Sequence, residues 1–176
     1  MTQWTEITNF DPEGANANGV AVFNNALWFE ARSPDSVDGG LQLYKLGFDG
    51  SVTKWTAINT SGGGLEPLNM FVFANALWFS GATADGRQLF KLGADGSVTK
   101  WTDVPGGFDP QLVSQSANDP DSTPSSVFNN AAWLSATNPA TGTELYKLGA
   151  DGSVTFWKDI NPGPPSSFPH DWAVLG

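Results

Sequence analysis

Leu43-Tyr44-Lys45-Leu46-Gly47-Phe48-Asp49-Gly50-Ser51-Val52-Thr53-Lys54-Trp55-Thr56 decides the fold, because it recurs. It returns from Leu89 to Thr102 as LFKLGADGSVTKWT and from Leu145 to Lys158 as LYKLGADGSVTFWK. Self-similarity at a period of about 45–50 residues marks a repeat architecture, in which each unit is one supersecondary structure. Aligned on its tryptophan, the motif gives Trp4, Trp55, Trp101 and Trp157, spaced 51, 46 and 56 residues apart, so length variation belongs to loops.

A second block precedes each motif: Val22–Phe29 (VFNNALWF), Val72–Phe79 (VFANALWF) and Val127–Leu134 (VFNNAAWL). Each repeat therefore predicts four short strands, which in the first are Val20–Phe23, Ala26–Ala31, Leu41–Gly47 and Ser51–Ile58. Asn24-Asn25 predicts a tight hairpin turn, since Asn tolerates the positive φ that such turns require. Phe48-Asp49-Gly50 predicts a second hairpin. A two-residue loop there would set Lys45 opposite Lys54, and like charges in direct opposition destabilise a sheet. A three-residue loop with Gly50 left-handed pairs Lys45 with Thr53 instead.

Both strand faces are apolar: Val52 and Ile58 against Trp55 and Ala57, Leu27 and Phe29 against Trp28. A sheet with one wet face would alternate, so these sheets are expected to be covered on both sides. Small four-stranded sheets stacked about an axis are β-propeller blades. The expected fold is all-β, a propeller of four-stranded antiparallel blades in one repeat domain spanning 1–176. A strand at 3–7 precedes blade repeats at 19–58, 68–104 and 125–160, and a closing strand follows at 171–175. That makes about three and a half blades per chain. Because such a piece would expose blade faces and strand edges, oligomerisation is expected to complete the ring, with a homodimer favoured.

Gly142-Thr143-Glu144-Leu145-Tyr146-Lys147-Leu148-Gly149-Ala150-Asp151-Gly152-Ser153, continuing through Trp157-Lys158-Asp159-Ile160-Asn161-Pro162-Gly163, resembles the bacterial ELWxxDGT-repeat proteins. The Pro164–Pro169 loop and Leu77-Trp78-Phe79-Ser80 extend the resemblance. Tyr or Phe replaces the family's Trp, Ser replaces its Thr after Asp-Gly, and the KDINPG segment is clear only in the third repeat. The resemblance rests on structural residues. It implies a propeller-like surface or extracellular binding module and carries over no catalytic residue.

Composition narrows the function further. The 176 residues carry a net charge of −10 with only eight Lys and Arg, scattered singly, which argues against nucleic acid and anionic membranes as partners. No apolar run is long enough to predict a membrane span. The absence of cysteine removes disulfides, thiolate nucleophiles and Cys-type zinc sites. MTQWTEI has neither a basic nor an apolar leader region, so no signal peptide is predicted. Localisation stays open between the extracellular or cell-surface setting that the resemblance implies and the cytosol.

Tight turns gather on one side of the expected ring, and the longer links gather on the other, where loops on a rigid scaffold carry binding groups. The candidate ligand-binding residues in or beside those links are Phe10, Asp11, Asp35, Glu66, Asp85, Phe108, Asp109, Phe168, His170 and Trp172. Phe10-Asp11-Pro12 and Phe108-Asp109-Pro110 occupy equivalent links, although Asp before Pro also favours turns by itself. No cofactor is expected other than calcium, for which Asn118, Asp119 and Asp121 are the candidate ligands; they lack EF-hand spacing. His170 has no second His or Cys to make a metal site. No nucleophile–base set, metal triad or phosphate loop is present, so no enzymatic activity is expected. The six recurring tryptophans read as packing between blades. The expected function is non-catalytic ligand binding, foremost of carbohydrate in a lectin-like manner. The alternative is a self-assembling structural or protein-interaction scaffold, a truncated or engineered propeller segment among its forms, with no small ligand.

Overall fold

The computed structural model describes residues 18–33, 40–58, 63–111, 126–162, 166, 167 and 169. The expected strands at 3–7 and 171–175 lie outside them. Among the described residues all regular structure is β, in three antiparallel sheets. The first sheet runs in the order β1 (Asn18–Phe23), β2 (Ala26–Arg32), β3 (Leu41–Leu46) and β4 (Val52–Lys54). The second repeats it with β5 (Leu68–Phe73), β6 (Ala76–Thr83), β7 (Gly86–Gly93) and β8 (Val98–Lys100). In the third, β9 (Asp109–Gln111) and β10 (Ser126–Phe128) both pair with β11 (Ala131–Asn138), followed by β12 (Gly142–Gly149) and β13 (Val154–Lys158).

The turns follow the chemistry of their residues. Asn24 and Asn25 have φ of 49° and 56°, and Asn129 and Asn130 have 51° and 54°. These left-handed pairs match the twist of the strands they join. The second sheet places Ala74 at φ 49°, a conformation that a Cβ disfavours. In the later hairpin Lys45 pairs with Thr53 and Gly50 has φ 79°, the expected register. Asp49 Oδ1 accepts the Ser51 hydroxyl at 2.6 Å and its backbone N–H at 3.0 Å. The Asp95–Ser97 and Asp151–Ser153 turns repeat both bonds. Those donors hold the Asp49 and Asp95 carboxyls below the ordinary carboxylate range.

Three features depart from expectation. The fourth strand ends at Lys54 and not at Ile58, and a side chain takes over from the ladder. Buried Gln42 accepts from the Thr56 hydroxyl at 2.8 Å and the Ile58 N–H at 3.2 Å, and donates to the Ile58 carbonyl at 2.8 Å. Gln88 makes the same three bonds to Thr102 and Val104. Secondly, the links after the second strand are tight in two sheets: Thr83 pairs with Gly86, and Asn138 with Gly142. Thirdly, the first strand is interrupted at one place in every sheet. Between the partners of Glu30 and Phe29, and again between those of Ser80 and Trp78, a bulge carries Gly19 or Asn69 at positive φ. In the third sheet the same place falls between β9 and β10, with Gln111 opposite Ser135 and Ser126 opposite Trp133.

The sheets pack face to face through alternate residues. Phe23, Trp28 and Leu43 of the first meet Leu77, Phe79, Phe90 and Leu92 of the second. Phe73, Trp78 and Leu89 of the second meet Leu134, Tyr146 and Leu148 of the third. Each buried aromatic or aliphatic side chain here is worth about 1.5–3 kcal/mol of transfer free energy, so these two layers dominate stability.

Candidate functional site: the seam between sheets and the Arg87 cluster

Each sheet builds one tryptophan pair. Trp28 and Trp55 meet edge to face at 5.1 Å, Trp78 and Trp101 at 5.3 Å, and Trp133 and Trp157 at 5.0 Å. The inner indole donates to the preceding Phe carbonyl: Trp28 to Phe23, Trp78 to Phe73 and Trp133 to Phe128. Lysine ammonium groups cover the outer ring, Lys45 at 5.3 Å from Trp55, Lys91 at 4.6 Å from Trp101 and Lys147 at 5.7 Å from Trp157. This cation–π contact adds to the edge-to-face geometry that aromatic pairs favour.

The outer indole then crosses to the next sheet. Trp55 Nε1 donates to the Gly96 carbonyl at 2.9 Å, and Trp101 Nε1 to the Gly152 carbonyl at 2.6 Å. These glycines are needed twice over. Gly96 has φ 84°, and a Cβ on it would stand 2.8 Å from Trp55 Cζ2. Asn24 Nδ2 adds a bond to the Ala94 carbonyl at 3.1 Å, beside the Trp55 contact. The turn and tryptophan of the repeated motif are thus the two halves of one joint, each half completed by a neighbouring sheet. Among the described residues the Trp157 indole meets no such acceptor, and it is 55 % exposed against 36 % for Trp101.

A second cluster centres on Arg87 of β7. Its Nε donates to Ser80 Oγ at 2.8 Å, its Nη2 to the Ser80 carbonyl at 3.1 Å and to the Glu66 carbonyl, and its Nη1 reaches Glu66 Oε2 at 3.4 Å. Asp109 Oδ1 lies 3.5 Å from Nε and accepts from Ser80 Oγ at 3.0 Å. Arg87 thereby clamps the approach to β5 and the approach to the third sheet onto the second. At the Ser80 position the first sheet carries Glu30, 3 % exposed, whose Oε2 has no hydrogen-bond partner among the described residues. Burial raises its pKa to about 7; the charge of Arg87 opposes the shift and that of Glu66 adds to it.

Of the residues nominated from sequence, the structure brings Glu66 and Asp109 together on Arg87. Asp85 stands apart, exposed in the two-residue turn between β6 and β7. Phe108 is 1 % exposed and meets Tyr146 edge to face at 4.9 Å, so it belongs to the core and is no open platform. Phe10, Asp11, Asp35, Asn118, Asp119, Asp121, Phe168, His170 and Trp172 lie outside the described residues. Among the described residues no group of three or more His, Asp or Glu is placed to hold a metal.

Sequence reasoning missed Arg87, Glu30 and the Gln42 and Gln88 bonds. Glu30 and the glutamines carry a signal and Arg87 carries none: Glu30 is the lone charge inside ALWFEA, and Gln42, Gln88 and Glu144 recur one residue before the motif's first leucine. No family model matches the chain, and no curated protein or solved structure is significantly similar to it.

Proposed function

We propose that this chain is a non-catalytic, self-associating interaction module of propeller type, related in design to the ELWxxDGT-repeat proteins it resembles. The observation that carries this reading is the indole-to-glycine joint, made twice between sheets and left with a third, identically built donor exposed. A repeat that buries its faces only against neighbours leaves its end units unsatisfied unless they are capped or joined. On this reading the three antiparallel sheets serve as propeller blades, and further copies would continue the ring. A glycan reading has less support from the described residues. Glu66 and Asp109 are engaged by Arg87 and Ser80, and Phe108 is packed away from solvent.

The test is the mass in solution. Multi-angle light scattering from 1 to about 100 µM is expected to show a defined oligomer that dissociates on dilution, the mass-action behaviour of a joined assembly. A monomer mass throughout that range contradicts the reading.

A further inference from the structure

We propose that the face of the third sheet that carries Trp157 and Phe128 receives the Phe48-Asp49-Gly50 turn of a second copy of this chain, with Trp157 Nε1 donating to the Gly50 carbonyl and Asn129 Nδ2 to the Phe48 carbonyl. This inference rests on the self-association reading and names its two surfaces.

Four observations carry it. The donor half is already assembled in the third sheet: Trp133 holds Trp157 edge to face and Lys147 covers its ring, as in the sheets whose joints are closed. A side chain held in its bound geometry loses little entropy on docking. The acceptor half is equally ready in the first sheet. Gly50 has φ 79°, Gly96 has 84° and Gly152 has 85°, and the Asp49–Ser51 bonds match those at the other two turns. Next, the accessory donor recurs where it is needed. Asn24 bonds the turn of the second sheet, the second sheet has Ala74 at that position, and the third regains Asn129.

The fourth observation selects the occupant. The turn tips of the second and third sheets are Ala94 and Ala150, whereas the first carries Phe48, 93 % exposed. An aromatic ring presented at a turn tip suits an interface anchor, the residue type that carries most binding energy. Its apolar counterpart is on the other end of the stack, where Phe128 is 55 % exposed while Phe23 and Phe73, its equivalents in the closed joints, are buried. The first and third sheets thus offer surfaces that are complementary to each other and not to themselves. Such contacts are heterologous, and successive copies either close into a ring or extend as a fibre.

The chain contains no cysteine, so single thiols can be placed cleanly. One batch carries Asn129→Cys, another Phe48→Cys, and both are treated with a short bismaleimide, separately and mixed. The expected result is a cross-linked product only in the mixture. Trp157→Phe, which keeps the ring and removes the N–H, is expected to weaken association about three- to tenfold, the worth of one hydrogen bond. Trp157→Ala should weaken it about thirtyfold or more. Both variants should keep the wild-type circular dichroism, because Trp157 is exposed. An oligomer that cross-links through Asn129→Cys alone, or that ignores Trp157→Phe, overturns these surfaces while leaving self-association standing. A monomer at every concentration overturns both.

Discussion

The second sheet and its two neighbours share strand order, turn register and tryptophan pair, yet only the second has both faces in described inter-sheet joints. The differences fall at the joints. The central sheet has Ser80 where the first has Glu30, Gln88 where the third has Glu144, and Ala74 where both have Asn. Trp157, without an acceptor among the described residues, keeps the geometry that Trp101 has with one. The donor is therefore a property of the single sheet, and closure adds the acceptor without reshaping it. Five substitutions probe this contrast, beginning with the most disruptive.

Gly96→Ala strikes a closed joint. It combines a left-handed φ with a Cβ driven to 2.8 Å from the Trp55 ring. A loss of about 3 kcal/mol is expected in urea denaturation, from backbone strain and overpacking together.

Glu30 tests the contrast through pH. Its folded pKa of about 7 lies above the 4.5 of a free glutamate, so between these values the native chain holds a proton that the unfolded chain has released. Stability from Glu30 is complete below pH 4.5 and is lost as pH rises through 7, by about 3 kcal/mol in all. Glu30→Gln should remove that slope, so the gap between the two denaturation profiles must change over this window. Parallel profiles would contradict the assignment.

The Gln88–Glu144 difference is a matter of partners. Fully buried Glu144 accepts from Ile160 N–H at 3.0 Å and from Ser167 N–H and hydroxyl at 3.1 and 2.6 Å. Its repeat has Lys158 where the others have Thr56 and Thr102, so the donor comes from Ser167 instead. Glu144→Gln should cost about 1–2 kcal/mol, and Ser167→Ala about 1 kcal/mol, measured by thermal denaturation. Non-additivity in the double variant would show that both act on one bond.

The smallest expected effect is a gain. Ala74→Asn relieves a positive φ and gives the second sheet the amide donor that its neighbours have. A stabilisation of about 0.5–1 kcal/mol is expected by urea denaturation.

Much of this fold was legible because the repeat supplies its own controls. Three copies of the Asp-Gly-Ser turn, and the like charges of Lys45 and Lys54, determine a hairpin register that the structure reproduces. The paired asparagines likewise give their turns directly. Less legible were features that depend on a neighbour. Nothing local to Trp55 says that its indole ends on Gly96, since that bond joins residues of different repeats. The fourth strand stops early because the Gln42 amide satisfies backbone groups that a ladder would otherwise pair, an exchange invisible to strand propensity. Phe108 reads as a loop aromatic from its Gly and Pro neighbours, yet packs on Tyr146 of the next sheet. Glu66 and Asp109 read as ligand groups because carboxylates in loops often are. Arg87, which the alternation of β7 gives no reason to single out, claims both.

The central claim is that Trp101 and Trp157 do one job, the first within the chain and the second between chains. Sedimentation equilibrium and thermal melts of Trp101→Phe and Trp157→Phe, side by side, test it most directly. The account predicts that Trp101→Phe lowers Tm and leaves the association constant alone, while Trp157→Phe weakens association and leaves the dissociated chain's Tm alone. A Trp157→Phe protein that associates as tightly as the wild type would contradict it.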